Sequence, residues 1–217
     1  MLYKESVSVS TIEILQKLFI AEELKDFELV GWTSLSLQIG HRISYDIDLF
    51  CKSPFENKII KECILETFSG HQISFDYEAK NTLIGSIDNI KIDFIRHNYP
   101  GVDETKTIEG IRLCSIKDIA AMKINAITEN GTRIKDFVDL YYLLKIFTLE
   151  EILTFYKTKY TTGNELFALK SITWFNEVDP KSINQINFLN NKEISFEDLT
   201  TTLKAKCDSY IRKKTFS

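Results

Sequence analysis

The sequence is poor in the residues that usually announce a specialised protein. Its four cysteines (Cys51, Cys63, Cys114 and Cys207) are far apart, no C-x-x-C occurs, and the three histidines make no ligand spacing with them. That scatter argues against a zinc site and fits reduced thiols in a cytosolic protein. No apolar run reaches 18 residues, so no membrane span is expected. The opening MLYKESVSVS lacks the long apolar core of a signal peptide. There is no excess of basic charge either: the formal net charge is -4. The totals therefore do not announce a nucleic-acid partner, although a local basic patch would escape them. Internal repeats, low-complexity segments and long linkers are also missing.

What remains is an ordinary globular composition, with 44% apolar and 27% charged residues in 217. That length suits one domain or two small ones and is ample for a core. Ser10 with Glu13 reads as a capping box opening a helix over 10–24. FELV then leads into Gly31 as a short strand. Residues 33–39 alternate like a strand, yet Gly40 suits a helix C-terminus and two parallel strands need a crossover, so a short helix is favoured. YDIDLF is the next strand and SPFENKIIKECILETF a helix. Three strand-like runs follow in HQISFDYEA, TLIGSID and IKIDFIRH, joined by short polar breaks such as Asp88-Asn89. Helices are expected over 116–128, 133–147, 149–159, 164–176 and 196–213. Ser115 with Asp118 and Ser195 with Asp198 read as further capping boxes. The expected fold is α+β: a core over 1–107 with a mixed sheet, then a helical bundle over 108–217. The change of character lies near 105–115.

Chemistry is suggested by acids at strand positions. With period two, Asp46 and Asp48 project to one side of YDIDLF while Ile47 and Leu49 face the other. Two like charges on one apolar strand repel each other, and a hard cation such as Mg²⁺ would remove that conflict. Alone, a D-x-D is more often a solvated face. Asp93, between Ile92 and Phe94 in a later strand, changes the weighing. If the two strands are neighbours, three carboxylates converge, as a two-metal phosphoryl-transfer site requires. The competing role for Asp93 is an ion pair with Lys91 or Arg96. In GWTS, Gly31 permits close backbone approach, and Thr33 and Ser34 bring hydroxyls to a helix start that favours anions. Either hydroxyl could instead be a plain N-cap. His41 and Arg42 precede the acidic strand, and Arg42 could grip phosphate bidentately or buttress Asp46. Lys123 falls inside the apolar stripe Ile116, Ile119, Ala120, Ile124 and Ile127, so it must snorkel or meet an anion. A nucleotide phosphate would serve. Asp136 and Asp139 are neighbours on their helix, and their bland reading is pairing with Arg133 and Lys135. Asp118 reads as a helix cap at least as well as a site residue.

Taken together, Gly31, Thr33, Ser34, Gly40, His41, Arg42, Ser44, Asp46, Asp48, Leu49 and Phe50 form a pattern that resembles the AbiEii/AbiGii nucleotidyltransferase toxin family. That family sits in the DNA polymerase β-like nucleotidyltransferase superfamily. The resemblance continues in IKIDFIRHNYP, KDIAAMKINAI, KDFVDLYYLL and ALKSITWF, covering about 28–176. One departure stands out: Trp32 occupies the family's usual second glycine. The resemblance implies that Asp46 and Asp48 are metal ligands and that Asp93 is the third carboxylate, helping to deprotonate the acceptor hydroxyl. Thr33 or Ser34 would contact the triphosphate. Lys123, Asp136 and Asp139 match later family motifs.

The expected activity is then transfer of a nucleoside monophosphate from an NTP to a hydroxyl, with Mg²⁺ or Mn²⁺. The acceptor implied is RNA, with tRNA one candidate, and the setting a cytoplasmic bacterial toxin–antitoxin or phage-defence system with an antitoxin partner. IRKK at 211–214 could help hold RNA, but such a run is more often a solvated helix end. Two other readings compete: a nucleotidyltransferase modifying a small molecule such as an antibiotic, which the acidic charge mildly favours, and a nucleotide- or protein-binding module without turnover.

Overall fold

Period-two burial organises the first half of the chain and 3.6-period stripes the second. The computed structural model describes residues 1–215 and divides into two compact units, one of 1–99 with 104–115 and one of 100–103 with 116 onward. The division falls after Ser115 rather than at the expected 107. The reason is a hairpin that the sequence reading missed. Strands β6 (Lys106–Ile108) and β7 (Ile111–Leu113) still belong to the sheet. They are joined by Glu109 and Gly110, both at positive φ, the conformation that tight hairpin turns require.

The first unit opens with helix α1 (Val9–Ile20), shorter than expected. Its N-cap is Ser8, whose hydroxyl accepts from the Thr11 amide, rather than Ser10. Strand β1 (Glu28–Leu29) leads into helix α2 (Gly31–Ile39), which ends on left-handed Gly40, so the helical reading of 33–39 is the correct one. Strand β2 (Ile47–Cys51), helix α3 (Asn57–Thr67), and strands β3 (Ile73–Ala79), β4 (Thr82–Ile87) and β5 (Ile90–Arg96) follow. The β4–β5 turn places Asp88 and Asn89 at positive φ. The seven strands lie in the order β3-β4-β5-β2-β1-β7-β6. β2 pairs with β5 in parallel and β1 with β7 in parallel, while the other pairs are antiparallel. One face of the central strands carries Ile47, Leu49, Ile92 and Phe94, which pack with Leu15, Leu18, Ile60, Ile64 and Phe68 of the helical side in one core. The opposite face carries Asp48, Asp93 and Lys91 beside Phe50, Ile84 and Ile95.

The second unit is helical: α4 (Ile116–Glu129), α5 (Ile134–Leu143), α6 (Leu149–Lys159), α7 (Glu165–Ile172) and α8 (Phe196–Thr215). Its core includes fully buried Ile119, Ala120, Ile124, Phe137, Val138, Leu140, Ile152 and Leu203. The Ser195 cap is as expected, with its hydroxyl accepting from the Asp198 amide. A capping box on α6 joins Thr148 and Glu151. Asp118 reaches beyond its own helix. Its buried carboxylate accepts from the amides of Val102 and Asp103 and pairs with buried Lys159 at 2.7 Å, fastening 100–103 to the helices. Among the described residues, no helix is long and apolar enough to cross a membrane.

Candidate active site

The site begins where the chain leaves β1. The Val30 amide donates to the Asp48 carbonyl at 2.9 Å, so the start of α2 is fixed against β2. Gly31 follows at φ +65, and a Cβ there would run into the Asp48 carboxylate. Glycine is needed twice over at this position, for the sign of φ and for the close approach. Val30 supplies no side-chain cap to α2, and the Asp48 carboxylate lies at the Gly31 turn where the helix begins.

The two hydroxyls expected at the triphosphate are turned inward. Thr33 is fully buried; its hydroxyl donates to the Asp46 carbonyl and lies 2.8 Å from the Ser44 hydroxyl. Ser34 is also buried, its hydroxyl accepting from Gln38 at 3.1 Å. Thr33 thus staples the turn to the acidic segment, Ser34 is held within its own helix, and both hydroxyls are buried. Arg42 is buried as well, donating to the Ile43 carbonyl at 3.2 Å, with its guanidinium 5.3 Å from the Trp32 ring centre. The bulky residue at the usual glycine position thus has a local role, since a guanidinium over an indole face is an attractive pair.

Asp46 immediately precedes β2 and Asp48 lies within it, both half-buried while Ile47 and Leu49 are buried on the other face. In the parallel β2–β5 pair, Asp48 is directly opposite Asp93. Partners in register share a face, so Asp46, Asp48 and Asp93 project to the same side. Asp93 is 8% exposed. Its Oδ2 accepts from Lys91 at 2.7 Å, while its buried Oδ1 has no hydrogen-bond partner. Burial alone would pull the Lys91 ammonium down, but the hydrogen bond to Asp93 and the charges of Asp93, Asp48 and Asp46 lift it above the ordinary lysine value. The ammonium therefore feels all three acids. Among the described residues, no three His, Cys, Asp or Glu side chains are drawn close enough to hold an ion. Even so, the donor set suits a hard cation: three carboxylates on one face, one with a buried oxygen still unsatisfied.

Lys123, Asp136 and Asp139 meet one another inside the second unit. The Lys123 ammonium lies 2.9 Å from Asp136 Oδ1 and 2.8 Å from Asp139 Oδ2, with all three side chains at most 4% exposed. Arg133 reaches Asp136 Oδ2 at 3.4 Å. The anion that Lys123 needs on its apolar seam is thus supplied from within. Of the two local pairs expected for the acids, Arg133 with Asp136 forms; Asp139 meets Lys123. At the end of α8, Lys213 pairs with Glu150 at 2.7 Å and Lys214 lies 5.3 Å from the Tyr210 ring centre, so the basic run is partly engaged.

Sequence reasoning gave Lys91 weight only as a rival explanation of Asp93. The overlooked signal was its place two residues before Asp93, on the same strand face. A glycine turn set against an acidic strand pair, within a mixed sheet, is the arrangement expected of a nucleotidyltransferase. The chain belongs to the family described as nucleotidyl transferase AbiEii toxin, type IV TA system, which it matches over residues 13–205. It is 31% identical over 205 residues to an uncharacterised protein of Aquifex aeolicus (strain VF5), covering 92% of this chain and 95% of that one. Two Helicobacter pylori crystal structures share the fold. One, of a candidate nucleotidyltransferase, has a TM-score of 0.58 at 16% identity, covering 95% of this chain and 94% of its own. The other, of the protein JHP933, has a TM-score of 0.57 at 17% identity, covering 97% of each.

Proposed function

We propose that this nucleotidyltransferase moves a nucleoside monophosphate from an NTP to a hydroxyl of RNA, a tRNA end being the leading candidate, in a metal-dependent reaction. The observation that carries the reading is the register of β2 and β5, which sets Asp48 opposite Asp93 beside the Gly31 turn. In this proposal Asp46, Asp48 and Asp93 hold the divalent ion, and the Gly31 turn with the N-terminal end of α2 receives the triphosphate. Mg²⁺ or Mn²⁺, when bound, neutralises phosphate charge and aligns the attacking and leaving oxygens. Asp93 takes the proton of the acceptor hydroxyl. The hydroxyl oxygen forms a bond to the α-phosphorus, the bond to the bridging β-phosphate oxygen breaks, and pyrophosphate leaves. Thr33 and Ser34 support the turn that meets the triphosphate, and Arg42 with Trp32 braces it. Lys123, Asp136 and Asp139 form a preassembled charge cluster within the helical unit. The cellular role is that of the toxin of a bacterial toxin–antitoxin pair, acting in the cytoplasm and opposed by an antitoxin.

The test is incubation of the protein with each labelled NTP, total RNA, and Mg²⁺ or Mn²⁺. Label in RNA that disappears in Asp48→Asn supports the reading. Label confined to small molecules would move the acceptor to that class, and no transfer to any acceptor would count against turnover altogether.

A further inference from the structure

The acidic face carries its own cation, at the place where an incoming ion would be wanted. Lys91 and Asp93 stand two apart on β5 and so share the face that also holds Asp46 and Asp48. Next to them on that face β4 contributes Ile84 and Ser86, neither charged, at the registers of Asp93 and Lys91. The Lys91 ammonium sits 2.7 Å from Asp93 Oδ2 on a side chain half-exposed to solvent, whereas the Asp93 side chain is 11% exposed. The anchor is buried and its cation is mobile: a lysine stem has four flexible carbons and can swing into water without unfolding anything. The other oxygen of Asp93 is buried and unpartnered.

We propose that Lys91 is a resident counter-cation that occupies Asp93 while no divalent ion is bound and must release it for one to enter, so that it sets the metal affinity of the site. This rests on the metal-dependent reading above. In the metal-free protein Lys91 offsets the repulsion among three carboxylates and keeps Asp93 Oδ2 engaged. An arriving ion competes with that ammonium for the same oxygen. Lys91 is therefore a positioning residue, acting through Asp93 rather than on the substrate.

The test reads metal binding in the absence of nucleotide, by Mn²⁺ electron paramagnetic resonance titration of the full chain. Lys91→Met should bind Mn²⁺ about tenfold more tightly than the unaltered protein, since a competing unit charge is gone. Lys91→Gln provides a second, polar replacement with the same expected direction. Lys91→Arg should restore the original affinity to within about threefold, which loss of mere packing would not explain. Melting of Lys91→Met should be lowered without Mn²⁺ and recover on adding it. Unchanged or weaker Mn²⁺ binding in folded Lys91→Met and Lys91→Gln would overturn the proposal while leaving the metal site intact. If Mn²⁺ binding is absent, or persists equally in Asp48→Asn, the metal-dependent reading falls and this inference with it.

Discussion

At Gly31 a single missing Cβ carries both a backbone sign and a contact with Asp48. Gly31→Ala should therefore lose about 1–2 kcal/mol from the left-handed conformation alone, with displacement of the Asp48 carboxylate in addition. Denaturant unfolding would show the stability loss, and a transfer assay a further fall in rate beyond it. Asp48→Asn keeps volume and removes charge, so the fold should hold while transfer drops by at least about 10²–10³-fold. A melting temperature close to the parent's, together with lost activity, is the expected pair of results. Near-parental activity would remove Asp48 from the chemistry. Asp48 in β2 and Asp46 just before it were legible from period-two alternation, because a strand leaves its side chains no other choice. The inward turn of Thr33 and Ser34 was not, since a hydroxyl at a helix start can face the solvent or the neighbouring segment with equal local propriety.

At the scale of elements, two clasps hold what the hydrophobic pattern only outlines. Arg112 on β7 donates to the carbonyls of Phe27 at 2.9 Å, Phe19 at 3.0 Å and Leu24, and its guanidinium lies 4.4 Å from the Phe19 ring centre. It thereby ties the end of α1 and the approach to β1 onto the hairpin that the sequence reading passed over. Removing it takes a donor from all three carbonyls, leaving the Leu24 carbonyl only the Phe27 amide, and Arg112→Ala should cost about 3 kcal/mol in denaturant unfolding. In the helical unit, Lys123 joins α4 to α5 through Asp136 and Asp139. Lys123→Ala would leave two carboxylates facing each other in a buried site, a loss of about 3–5 kcal/mol. A smaller loss, under about 1 kcal/mol, would show that the acids find another partner and that the cluster is not held by Lys123. Both clasps draw on residues distant in the chain, which is why helix and strand periodicity could not reveal them.

Over the whole molecule, the four thiols are free and buried. Burial pushes Cys51 up to about 11 and Cys207 up to about 12. Both are thus protonated at pH 8, and the thiolate is the reactive form. A thiol reagent should label the native protein slowly, and all four cysteines should react at once in denaturant. Fast labelling of Cys51 or Cys207 in the native state would contradict their burial. The folded state holds these protons to higher pH than the unfolded chain, whose thiols titrate near about 8.5. Stability should therefore decline as pH rises above that value.

The sequence by itself determined the strands β1 to β5 and the helices, the acidic face of β2 and the membership pattern from Gly31 to Phe50, because these depend on local periodicity and on turn residues with few alternatives. The tertiary structure alone decided that Asp93 stands opposite Asp48, that Lys91 holds Asp93, and that the anion for Lys123 comes from Asp136 and Asp139. It also decided that the sheet runs on through β7, past the expected boundary at 107. Strand register and ion pairing are set by which segments find each other across the fold, and charge alone names several partners for every acid.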